Sequence, residues 1–181
     1  MRTRLTMSLA AVAVAVLAGC GDDVPPSTAG LAPPQTGAQP SEQDRAWMRT
    51  IHQGNLAEVQ AGQLAQGKGM TREIKSIGKM LVHDHTELDT KVTQAASRLR
   101  IELPTSPTAE QRAERVRLQD ATGKDFDQDF LAGMIKAHTA AIAATNTEIS
   151  RGSSQTVVAL AKTAAPSLQK HLSALRQAQK G

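Results

Sequence analysis

From Ser41 onward, apolar residues recur every three or four positions, and that period of 3.6 leaves the chain little to form except packed helices. The first stripe is Trp47, Ile51, Asn55, Glu58, Gly62 and Ala65, which predicts a helix over 42–66 closed by Gly67-Lys68-Gly69. A second stripe, Ile74, Ile77, Leu81, His85, Leu88, Val92, Ala95 and Leu99, ends before Leu103-Pro104, because proline forces the residue ahead of it into extended backbone. Thr108-Ala109-Glu110-Gln111 is a capping box opening a short polar helix that runs to Ala121 and is closed by Gly123. The third stripe is Phe126, Phe130, Met134, His138, Ala141 and Ile149. The fourth is Val157, Ala161, Ala164, Leu168, His171 and Leu175, with Ser153 or Ser154 as its cap. Pro166 falls inside that last segment and implies either a kink or the end of one helix and the start of another. The expected fold is all-α: a four-helix bundle with a short extra helix between helices 2 and 3.

Composition agrees with a bundle and excludes other classes. Aromatics are 2% of the chain, only Trp47, Phe126 and Phe130, too few for a β-rich core or a base-stacking surface. The formal net charge is +4, but Arg2 and Arg4 belong to what reads as a targeting leader. Its removal leaves +2, which is no nucleic-acid footprint.

That leader occupies residues 1–19. A basic start precedes an apolar run from Leu5 to Ala18, shorter than the ~20 residues a membrane span needs. It ends in Leu17-Ala18-Gly19-Cys20, and this Cys is the chain's single cysteine. The tetrapeptide resembles a bacterial lipobox, which makes Cys20 the expected lipidation site and the membrane a partner through an N-terminal lipid anchor. Gly21 after it favours the outer over the inner membrane by resemblance to Gram-negative sorting. Residues 20–41 hold five of the eight prolines and no hydrophobic period, so they read as a disordered tether. The expected domains are therefore the leader at 1–19, the lipidated tether at 20–41 and the bundle at 42–178, facing the periplasm.

Glu58, His85, His138 and His171 each sit in the inward stripe of a different helix, where an ionisable group needs a partner. They either satisfy one another by hydrogen bonds or hold a ligand. Imidazole and carboxylate from facing helices are how bundles bind metals. Counting along straight antiparallel helices at 1.5 Å per residue puts Glu58 about 9–10 Å from the level of His85, and His171 about 8 Å deeper than His138. His52, in contrast, comes out level with His85. On that count the four inward residues are staggered, and His85 and His138 with His52 make the better grouping. Met48 and Met134 lie four residues before His52 and His138, a soft pairing suited to copper(I) but also ordinary core filling. No Glu or Asp is followed three residues later by His, so the Glu-x-x-His pairs of di-iron bundles are absent. No catalytic set is recognisable, and no cofactor is required by any motif.

Asn55-Leu56-Ala57-Glu58, Met80-Leu81-Val82-His83-Asp84-His85-Thr86, Phe126-Asp127-Gln128-Asp129-Phe130 with His138, and Pro166-Ser167-Leu168-Gln169-Lys170-His171-Leu172 together resemble the bacterial domain-of-unknown-function family 4142, grouped with ferritin-like bundles. The resemblance spans about residues 42–178 and implies a ferritin-like helical fold, frequent export and the description "predicted outer membrane protein". It implies no reaction. The family's typical Tyr after the Phe-Asp pair is Phe130 here. The leading expectation is a non-enzymatic envelope lipoprotein whose bundle binds a protein partner or small ligand. The alternative is a bundle that stores or senses a divalent metal or copper through His85, His138, His171 or His52, supported by Glu58.

Overall fold

The computed structural model describes residues 39–181. The leader, Cys20 and the tether up to residue 38 lie outside the described residues. The remainder is five helices: α1 Glu42–Lys68, α2 Arg72–Leu99, α3 Ala109–Asp120, α4 Gly123–Arg151 and α5 Gln155–Ala178. No strand occurs among the described residues, and no described helix is long and apolar enough to cross a membrane.

Local chemistry explains the helix ends. Ser41 and Thr108 close reciprocal capping boxes with Asp44 and Gln111, while Thr71 and Ser154 each accept from the backbone three residues on. α2 ends before Leu103-Pro104 as expected: Arg100, at φ 54°, takes the left-handed position that closes the helix after Leu99. Gly123, expected to close the short helix, instead opens α4 at φ 58°, a conformation glycine adopts without strain. α5 continues through Pro166, so the helix is not split there, although Pro166 has no N–H for the Lys162 carbonyl.

α1 packs mainly on α2 and α4 mainly on α5; the two hairpins meet through α1 with α4 and α2 with α5. This is a ferritin-like four-helix bundle, with α3 laid over α1 and α4. Its apolar interior comes in two clusters. One gathers Trp47, Met48, Ile51, Leu88, Val92 and Leu168; the other gathers Leu81, Leu118, Phe126, Phe130, Met134 and Leu175. Along every long helix, a buried polar residue separates the two: Asn55 and Glu58 on α1, His85 on α2, His138 on α4 and His171 on α5. The bundle therefore encloses a polar layer between two apolar ones.

α1 and α2 touch backbone to backbone at Gly62 and Gly78. A Cβ on Gly78 would lie 2.6 Å from the Gly62 carbonyl oxygen and 2.8 Å from the Ala65 Cβ. Gly78→Ala is expected to destabilise the fold, because about 1–3 kcal/mol of overpacking outweighs the roughly 1 kcal/mol alanine gains in a helix. Gly54 is the matched control: a Cβ there would meet nothing within 4 Å, so Gly54→Ala should be neutral or stabilising. Equal denaturant midpoints for the two variants would contradict this packing.

The far end of the bundle is latched by a buried carboxyl pair. Asp44 accepts from Ser41 N at 2.6 Å, Ser153 Oγ at 2.7 Å and Ser154 N at 3.1 Å, joining the start of α1 to the α4–α5 turn. Burial would raise the Asp44 carboxyl, but hydrogen bonds from Ser41, Ser153, Glu148 and Ser154 outweigh it and hold it well below the usual carboxylate range. Burial, reinforced by the bond to Asp44, pushes Glu148 up to about 7. Between its unfolded value of 4.5 and about 7, the folded protein keeps a proton that the unfolded chain releases, so stability from this group falls as pH rises through that window. Glu148→Gln removes that dependence. From pH 5 to pH 8 the native chain should lose on the order of 2 kcal/mol relative to the variant, read from urea unfolding at each pH. Parallel pH profiles for the two proteins would refute it.

Candidate metal centre

The polar layer converges. Glu58 Oε2 lies 2.9 Å from His85 Nε2 and 3.2 Å from His138 Nε2, and His138 Nε2 lies 3.3 Å from His171 Nδ1. One nitrogen from each of the three histidines falls within 4.8 Å of the others, and all four residues are buried. Each of the four long helices contributes one member.

This corrects the stagger counted from the sequence. The first turn is centred near residue 70, not 68, because α1 runs on to Lys68 and α2 starts at Arg72. Moving the centre by two residues changes the offset between facing residues by four. Glu58 and His85 are then about 4.5 Å apart along the axis, and His138 and His171 are offset by the same amount about the second turn. Side chains lean toward the N-terminus of their own helix. Glu58 and His138 therefore lean away from their turns, His85 and His171 toward them, and both offsets close.

His52 does not join. It faces Asp89 at 2.7 Å and the Pro104 carbonyl at 2.9 Å, so the grouping of His85 and His138 with His52 is replaced by one with His171 and Glu58. Met48 is part of the core, and Met134 meets His138 through its carbonyl oxygen. His83 is exposed beside Asp84 and Glu87.

The outer nitrogen of each clustered imidazole is already committed. His138 Nδ1 donates to the Met134 carbonyl at 3.0 Å, His171 Nε2 to Asp84 Oδ2 at 2.8 Å, and His85 Nδ1 to Asn55 Oδ1 at 2.9 Å. Asn55 is oriented in turn by donating from Nδ2 to Asp89. Carbonyl and carboxylate oxygens only accept, so these contacts fix the tautomers. In the neutral rings the inner nitrogens carry lone pairs aimed at one another and at a carboxylate oxygen. His85 Nε2 and Glu58 Oε2, though 2.9 Å apart, are out of line for a hydrogen bond, and both are buried without one. Asp84 is the supporting residue that sequence reasoning misses, since in the sequence it is a surface neighbour of His85; Asn55, inward in the α1 stripe, is legible there as a partner for a buried histidine.

Burial disfavours charge at every member, and neighbouring charge decides the outcome. Glu58 is lowered, because the charges of His85 and His138 overcome its burial. His85 is raised, because Glu58 overcomes its burial. Burial wins at His138, which is lowered, and at His171, which is lowered to about 4 despite its bond to Asp84. Two neutral imidazoles thus stand beside a His85–Glu58 ion pair, its proton on His85 and its negative charge on Glu58.

A cation can take that proton's place. A tetrahedral ion with bonds of 2.0–2.1 Å has ligand–ligand edges of about 3.3–3.4 Å; the cluster's short separations are 2.9, 3.2 and 3.3 Å, and its three nitrogens lie within 4.8 Å of one another. Donation of the second ring nitrogen to a carboxylate or carbonyl is the support that metal-ligating histidines usually carry. A cleft of about 130 Å³ between α2 and α5, lined by Asp84, His85, Lys91 and His171, leads to the cluster from outside.

The family model described as "Domain of unknown function (DUF4142)" matches residues 29–178. The chain belongs to the DUF4142 family. Its fold is shared with the crystal structure of a DUF305 fragment from Deinococcus radiodurans, at a TM-score of 0.69 and 14% identity over 77% of this chain and 97% of that one. No curated protein matches the sequence. This DUF4142 chain therefore has a family and a fold in common with other proteins.

Proposed function

We propose that this DUF4142 protein binds one divalent first-row transition ion through His85, His138, His171 and Glu58, and stores, carries or senses it rather than acting as an enzyme. The supporting observation is the convergence of four buried donor atoms whose imidazoles are each held from behind by Met134, Asp84 or Asn55. Three nitrogens and one carboxylate oxygen are a borderline donor set suited to zinc, and they offer no thiolate to favour copper(I). Four protein ligands also fill a tetrahedral ion's coordination, as in sites that hold a metal rather than activate water on it.

Titrating the metal-free protein with zinc should give one site per chain with Kd below about 1 µM. His138→Ala and His171→Ala should each weaken it at least a hundredfold, with His52→Ala unchanged. Binding no tighter than about 10 µM, or equal binding in all three variants, rejects the proposal.

The envelope address remains part of the same proposal and rests on Leu17-Ala18-Gly19-Cys20. In that setting the domain would meet exchangeable periplasmic metal while tethered to a membrane, the outer one being favoured by Gly21. Mass spectrometry of the native protein finding no acyl groups on Cys20 would remove the anchor.

A further inference from the structure

The four donors of the buried layer are no more than 4% exposed, so an ion has to pass between helices to reach them. Two openings are lined by one or more of these residues. A cavity of about 350 Å³ between α1, α3 and α4 meets the layer at Asn55 and Glu58, but its walls are largely apolar and none of the clustered histidines lines it. The cleft of about 130 Å³ between α2 and α5 meets it at His85 and His171, whose ring centroids stand 5.2 Å apart.

The cleft suits a cation in transit better than the cavity does. Stripping an ion of its water against apolar walls is costly, whereas oxygen ligands replace that water one molecule at a time. Asp84 and Glu87 on α2, with Thr163 and Ser167 on α5, bring such oxygens to the cleft. Its volume is that of about four waters, so an ion keeps part of its shell on the way in. Net charge does not select the route, since Lys91 also lines the cleft and Lys170 acts on Asp84. Asp84 is the link between solvent and centre: its side chain is 26% exposed, and Oδ2 accepts from His171 Nε2 at 2.8 Å.

The α5 wall of the cleft is also where that helix is least supported. Thr163, Ala164 and Ser167 flank Pro166, which has no N–H for the Lys162 carbonyl, and this turn lacks one backbone hydrogen bond. Pro166 and Ser167 are both exposed to solvent. Local opening is easiest where buried contacts and backbone bonds are fewest.

We infer that the ion enters and leaves between α2 and α5, passing Asp84 and then His171, and that Pro166 sets the rate of exchange by leaving the α5 wall free to move. The route rests on the metal centre proposed above and has a consequence that the centre alone does not. An obstacle on the path slows uptake and release equally and leaves Kd, their ratio, unchanged.

Uptake is followed by stopped flow with a fluorescent zinc indicator, and release by mixing the zinc-loaded full chain with excess chromophoric chelator. Ser167→Trp, which fills the cleft from its exposed lip, should slow both at least about tenfold, with Kd within about threefold of native. Pro166→Ala restores the missing bond at an exposed helical position and should slow both severalfold. It carries the test even where the bulky tryptophan is not accommodated. Ala141→Leu, which narrows the apolar cavity instead, should change neither rate. Native rates in both cleft variants would overturn the route and leave the centre standing. Slowing by Ala141→Leu alone would also overturn it, since exchange would then run on the Glu58 side. A change of Kd in Pro166→Ala without equal changes in both rates would overturn the role given to the proline. No zinc binding by the native chain would remove the centre and the route together.

Discussion

Zinc is expected to raise the melting temperature of the metal-free protein by about 8–16 °C. A ligand that binds only the folded state adds RT ln(1 + [L]/Kd), which is about 4 kcal/mol at a thousandfold excess over Kd, and a domain of this size gains roughly 2–4 °C per kcal/mol. The unfolded chain offers no comparable site, because the four donors come from four helices and are far apart in sequence. The shift should vanish in the His138→Ala, His171→Ala double variant. Asp84→Ala, which leaves all four donors but frees the ring of His171, should keep a smaller shift, since losing such a support commonly weakens metal binding ten- to a hundredfold. An equal shift in the double variant would place zinc elsewhere, and no shift in the native protein would leave the cluster as an ion-paired polar network.

Asp44→Ala is expected to cost about 3–5 kcal/mol and to loosen the end of the bundle farthest from the first turn. The carboxylate is fully buried and accepts from the backbone of Ser41, Ser153 and Ser154 and from the hydroxyls of Ser41 and Ser153. Alanine leaves those donors without their acceptor, removes half of the capping box of α1 and deprives Glu148, raised chiefly by burial, of the bond to Asp44 that adds to the shift. Denaturant unfolding should show the loss. Hydrogen exchange should find it concentrated at the start of α1 and around residues 152–154, with the metal layer still protected. A cost under about 1 kcal/mol would mean water replaces the carboxylate without strain.

The two predictions involve residues of both kinds, some whose inward orientation is legible in the sequence and some it hides. The stripe through Trp47, Asn55 and Glu58 shows which face of α1 is buried, and the corresponding stripes place His85, His138 and His171 inward on theirs. Asp44 escapes notice because a capping box written Ser-x-x-Asp starts before the apolar stripe. Its partners at 153 and 154 are more than a hundred residues away. Asp84 escapes because a residue next to an inward histidine looks like surface until another helix, here α5, arrives beside it.

By itself the sequence determined an all-α bundle, its four long helices and the short α3, and the four ionisable groups that had to be buried, because a period of 3.6 fixes which face of each helix meets the core. It did not determine that those groups meet. Convergence depends on where each turn is centred and which way each side chain leans. A two-residue change at the α1–α2 turn moves facing residues about 6 Å past each other without altering a single stripe. Only the tertiary structure settled that register, through the Gly62–Gly78 contact and the ends of α1 and α2. With it set, residues that counted as staggered became one polar layer.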